Sequence, residues 1–119
     1  MTAVVPSGPV SPLEDLRRAV RSDQFDENAQ LTSAPFSSEN LSVDVASLAP
    51  LIESRRRFPD KWLAIFPCRA AVEVGAPPMH DPLPENDSHA IIPGRLSRGQ
   101  SRKLKAAVTS MIGPFGPSS

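Results

Sequence analysis

Residues 89–113, HAIIPGRLSRGQSRKLKAAVTSMIG, decide how the chain is read, because they join a short apolar run, a turn and a capped helix. Pro93 and Gly94 mark the turn after a strand over 89–92. Ser97, followed three residues later by Gln100, has the capping-box spacing, in which the hydroxyl takes the N3 amide and the Gln side chain reaches back. Leu104, Ala107, Val108 and Met111 recur at i, i+3, i+4 and i+7 and predict one apolar face on a helix over 98–112, with Gly113 and Pro114 as its stop.

The same helix has a cationic side. Arg98, Arg102 and Lys105 fall in line, Lys103 lies beside them, Arg95 precedes them, and no acid interrupts the stretch. Side chains spaced in this way can meet successive phosphates or an acidic protein surface through salt-sensitive contacts. A solvated helix face carries the same pattern.

Working outward, Leu41-Ser-Val-Asp-Val45 alternates apolar and polar residues and predicts a strand. Ser47 then has the chemistry to cap a helix with Pro50 in its first turn, an apolar edge of Leu48, Leu51, Ile52 and Phe58, and Arg55, Arg56 and Arg57 in its last turn. The apolar run 61–66 must end at Pro67 and predicts a buried strand, while residues 68–74 fit a short helix or a strand equally. Between 76 and 88, Pro77, Pro78, Pro82 and Pro84 remove ladder amides, so this segment reads as a stiff crossover that brings strand 89–92 beside strand 61–66.

At the other end, Ser11-Pro12-Leu13-Glu14 combines a Ser cap, an early Pro and a Glu at N3, which predicts a helix start. Leu13, Leu16 and Val20 follow at helical spacing, with Arg17, Arg18 and Arg21 on the other side, so residues 11–23 are expected to form a tethered amphipathic helix. Residues 1–10 read as a flexible arm, 24–35 as a linker and 114–119 as a flexible tail. The expected fold is a small α+β domain over 36–113. It has a sheet of about three short strands packed by two helices, at least one parallel strand pair, an N-terminal amphipathic helix and disordered ends.

Composition limits the chemistry. A chain of 119 residues builds one modest core, and 14 prolines imply a large irregular share. Thirteen basic and thirteen acidic residues cancel, so any electrostatic partner must be selected by local clustering. No apolar run approaches the roughly 18 residues of a membrane span, and the amino terminus lacks the pattern of a signal peptide, so no membrane is expected and a cytoplasmic location is. The single cysteine, Cys68, forms no intrachain disulfide. Five Phe, one Trp and no Tyr leave little for a base-stacking platform.

Cys68, His80, His89 and Asp81 are the candidates for metal or covalent chemistry. Their spacings do not match those of a zinc site, so no metal and no cofactor are expected. Cys68 as nucleophile, His89 as base and Asp81 or Asp87 as the group orienting the imidazole would make a small hydrolase or transferase. The loop 79–89 carries both histidines and could also form a binding rim. Two readings therefore stand. The first is a small non-enzymatic interaction protein that binds an acidic protein surface or a nucleic-acid backbone through Arg95, Arg98, Arg102, Lys103 and Lys105. The alternative is the Cys68/His89 enzyme, and the sequence leaves open whether any reaction is catalysed and what the oligomeric state is.

Overall fold

The computed structural model of the chain describes residues 6–114; the ends of the expected flexible arm and tail, residues 1–5 and 115–119, lie outside the described residues. One sheet contains β1 (Asp15–Val20), β2 (Leu41–Val45), β3 (Trp62–Pro67), β4 (Met79–His80), β5 (His89–Ile92) and β6 (Ser110–Ile112), in the spatial order β4-β5-β2-β1-β3-β6. Helices α1 (Leu51–Arg57), α2 (Cys68–Glu73) and α3 (Arg98–Ala106) complete an α+β architecture. The expected sheet of three strands with two helices and a parallel pair is thus corrected, since the sheet has six strands and every ladder is antiparallel.

The largest correction falls on residues 11–23, where the expected amphipathic helix is a central strand. β1 pairs with β3 from Asp15↔Pro67 to Val20↔Trp62, and with β2 at Leu16↔Val45 and Arg17↔Asp44. Leu16 and Val20, four residues apart, share a face in a helix and in a strand alike, so their spacing does not separate the two. Leu13 does separate them, because it is 95% exposed and belongs to no apolar edge. Ser11-Pro12-Leu13-Glu14 is a turn, with the Glu14 N–H donating to the Ser11 carbonyl at 3.1 Å and the Leu13 N–H to Ser11 Oγ at 3.2 Å. A Ser at the first and a Pro at the second position suit such a turn as well as they suit a helix start.

Residues directly opposite in neighbouring strands share a face. Leu16 faces Val45 and Phe66, Val43 faces Ala90, and Leu41 faces Ile92, which defines the core side of the sheet. Phe36, Cys68, Ala71 and Leu104 cover that side and are fully buried, with the Phe36 and Phe66 rings edge to face at 5.5 Å. Residues 68–73 are therefore helical, as α2, and β5 lies between β4 and β2 instead of beside β3.

α3 begins with the expected capping box: the Gln100 N–H donates to Ser97 Oγ at 3.1 Å and the Ser97 N–H to Gln100 Oε1 at 2.7 Å. It ends at Ala106, short of the expected residue 112. The Thr109 N–H donates to the Ile65 carbonyl at 2.8 Å, and Ser110–Ile112 continue as an antiparallel partner of β3. Satisfying backbone groups along that side of β3 outweighs extension of the helix. The proline-dense segment also joins the sheet, because Met79 and His80 retain their amides. The His80 N–H donates to the Gly8 carbonyl and the Val10 N–H to the Pro78 carbonyl, each at 2.9 Å, and Pro9 bridges Met79. Residues 8–10 of the expected arm are thereby laid along β4, with Val10 buried.

α1 lies on the opposite side of the sheet and presents its polar residues inward. Ser54 and Arg55 are buried, whereas Leu48, Leu51 and Ile52, the expected apolar edge, are each more than a third exposed. Ser47 does not cap the helix, and its hydroxyl instead donates to Glu14 Oε2 at 2.6 Å.

Candidate functional site

Two regions collect side chains able to act on a partner: the outer side of α3, and the second face of the sheet beneath α1. On α3, Leu104 and Ser101 point inward, and the Ser101 hydroxyl donates to the Phe36 carbonyl at 2.8 Å. Gln100 Nε2 donates to the Val74 carbonyl at 2.9 Å, tying the helix to the end of α2. These contacts fix the rotation of the helix and leave Arg98, Arg102, Lys103 and Lys105 exposed. Among the described residues, no carboxylate lies within ion-pair distance of those four, while Arg95 stands 3.9 Å from Glu39 in an exposed pair.

Cys68, His89 and Asp81 are not brought together as a set. His89 and Asp81 do meet: His89 Nδ1 lies 2.8 Å from the Asp81 carbonyl oxygen and 3.2 Å from Asp81 Oδ2, which fixes the ring orientation. Cys68 follows β3, and β1 and β2 separate it from His89 on β5. At about 4.8 Å per strand this is far beyond contact between thiol and imidazole. The thiol is wholly buried, points to the Val10 carbonyl at 3.7 Å, and burial together with Glu14 pushes its pKa up to about 11. A neutral, inaccessible thiol is a poor nucleophile. His80 lies opposite Ala90 on the core side, away from His89. Among the described residues no group of His, Cys, Asp and Glu side chains is placed to hold a metal ion, and no helix is long and apolar enough to cross a membrane.

The second face carries a row that crosses four strands. His89, Asp44, Arg17 and Ile65 are successive opposite partners on β5, β2, β1 and β3. Asp44 is 5% exposed and accepts three hydrogen bonds, with Oδ2 accepting from Ser54 Oγ at 2.6 Å and Arg57 Nη1 at 2.8 Å, and Oδ1 from Asn86 Nδ2 at 2.9 Å. Asn86 is held in turn by the Ser88 amide and hydroxyl. Arg17 donates to the Ala49 carbonyl at 2.9 Å and to Ser54 Oγ at 3.2 Å, so the network clamps α1 to the sheet.

Beside this network the sheet is split. β1 and β2 pair only at Leu16↔Val45 and Arg17↔Asp44, and beyond that point Arg18 fills the gap. Its Nε donates to the Pro35 carbonyl at 2.8 Å, Nη1 to the Ser42 carbonyl at 3.0 Å and Nη2 to Ser38 Oγ at 3.2 Å. A cavity of about 500 Å³ opens there, with Arg17, Arg18, Arg21, Arg57 and Lys61 in its wall. Asp44 and Glu85 are the acids that line it.

No protein family, curated protein or solved structure matches the chain. Sequence reasoning overlooked the cavity residues because Arg17, Arg18 and Arg21 were placed on the solvent side of a helix. The available signal was the alternation of Leu16, Arg18 and Val20, in which an arginine occupies an inward position of a strand.

Proposed function

We propose that the protein is a non-enzymatic interaction protein that binds an acidic protein surface through the outer side of α3. The observation that supports this reading is the set Arg98, Arg102, Lys103 and Lys105, exposed on a helix whose rotation is fixed and unpaired with any carboxylate of the described residues. Four cations without a carboxylate partner among the described residues retain their attraction for an external anion, whereas a neutralised set would not. An acidic protein segment suits the patch better than a nucleic acid. The helix is only nine residues long, the net charge of the chain is zero, and base-stacking aromatics are scarce. Arg95, beside Glu39, contributes less.

The test is binding of a fluorescent Asp/Glu-rich peptide and, in parallel, of a short DNA duplex. Peptide affinity should fall several-fold between about 50 and 200 mM salt and a further several-fold in Arg102→Glu. Preferential binding of the duplex would transfer the reading to a nucleic-acid backbone, and binding of neither, or binding indifferent to Arg102→Glu, would end it.

A further inference from the structure

We propose that the opening between β1 and β2 is a binding site for a small phosphate monoester, its dianionic phosphate held by Arg18 and Arg21 and its organic body lying over Phe58 and Leu83. The opening is lined mostly from the second face, with Arg18 reaching it from the core-side position between Leu16 and Val20, and the inference is independent of the role given to α3.

Three features of the opening converge on this ligand. The first is uncompensated positive charge. Of the two acids in the wall, Asp44 is consumed by Ser54, Arg57 and Asn86, so its charge is already answered from within the network, which leaves Glu85 against Arg17, Arg18, Arg21 and Lys61. Arg18 has only carbonyl and hydroxyl oxygens as partners, and among the described residues no carboxylate pairs with it. Burial, with Arg21 as a second cause, lowers its pKa, which means that its charged form is poorly solvated and repelled by a neighbour of the same sign. An entering anion relieves both costs.

The second feature is donor capacity. A guanidinium carries five N–H groups, and Arg18 uses one each from Nε, Nη1 and Nη2, which leaves two. Arg21 holds only an exposed contact to Asp23 at 3.0 Å, which a better-placed anion can replace. Guanidinium forks match phosphate oxygens in pairs, and two of them suit a doubly charged group better than a single carboxylate.

The third feature is shape. A cavity of about 500 Å³ is within the range of small-molecule sites and far larger than one ion requires. Phe58 and Leu83 supply apolar wall, and Lys61 lies 5.4 Å from the centre of the Phe58 ring, where it can close over a ligand's anionic end.

The experiment is a titration of the 15N-labelled full chain with inorganic phosphate and with adenosine 5′-monophosphate, at constant ionic strength set by chloride. Saturable shifts are expected at the amides of Arg21, Ser42, Val43 and Phe58, with the nucleotide binding more tightly than phosphate alone. Arg21→Gln, at an exposed side chain that the fold does not need, should weaken both ligands about tenfold, and Lys61→Gln should weaken them less. Arg102→Glu should leave both titrations unchanged while it weakens the acidic peptide, so failure of this site and failure of the α3 reading are distinguishable. Absence of saturable shifts up to about 10 mM overturns the proposal. Shifts unchanged by Arg21→Gln also overturn it. Equal affinity for the two ligands overturns the placement of an organic body on Phe58.

Discussion

Arg18 Nη1 donates to the Ser42 carbonyl oxygen at 3.0 Å, across the stretch where β1 and β2 have ceased to pair. A side chain thus takes over from the backbone ladder. It satisfies a β2 carbonyl, reaches Pro35 and Ser38 on the far side, and keeps two central strands apart without leaving the carbonyl orphaned.

Removing that substitute should be costly. Arg18→Ala is expected to destabilise the fold by about 2–3 kcal/mol, since charge-assisted bonds to two carbonyls are lost. Arg18→Lys should recover only part, because one ammonium cannot span the three acceptors. Urea denaturation of both variants measures the difference.

The Asp44 network predicts an asymmetry. Asp44→Ala leaves Arg57, Ser54 and Asn86 without their shared acceptor in a buried setting and should cost about 3 kcal/mol. Arg57→Ala, at a more solvent-accessible side chain, should cost about 1 kcal/mol. Denaturation of the single and double variants should show strong non-additivity, because both substitutions act on one cluster.

Cys68 should be inert in the native protein. With the thiol raised from its ordinary value of 9.0 to about 11, iodoacetamide at pH 8 should label it only after unfolding. The unfolded thiol ionises first as pH rises, so the fold's preference for the neutral form is fully present below about pH 9 and is lost as pH passes about 11. Labelling followed by mass spectrometry, with and without denaturant, checks the first statement. Alkaline unfolding of Cys68→Ala against the parent chain checks the second, and the variant should lose less stability between those two pH values.

Ser97→Ala should cost about 1 kcal/mol, the usual worth of an N-cap hydroxyl. Gln100→Ala should cost at least as much, since Gln100 closes the capping box and also holds the Val74 carbonyl at 2.9 Å. Thermal melts rank the two, and amide exchange should show the first turn of α3 opening in each.

What was legible in the sequence was what local chemistry decides alone. Residues 41–45, 61–66 and 89–92 were readable as strands from alternation or from an apolar run bounded by proline, and Ser97 with Gln100 announced the start of α3. β1 was hidden because its turn residues imitate a helix cap and a spacing of four fits both periods. β6 was hidden because Val108 and Met111 extend the helical stripe of Leu104, and only the neighbouring strand shows where the helix must stop. The cavity was invisible for a related reason: it exists only where β1 and β2, well separated in sequence, part from one another.

The margins of the sheet carry a further consequence. One is a three-residue strand leading into Gly113 and Pro114, and beyond the two-residue β4 at the other lies a segment containing Pro9, which has no amide to offer. Among the described residues there is accordingly little exposed ribbon onto which a foreign chain could be added strand by strand. Amyloid-like stacking is disfavoured by this construction.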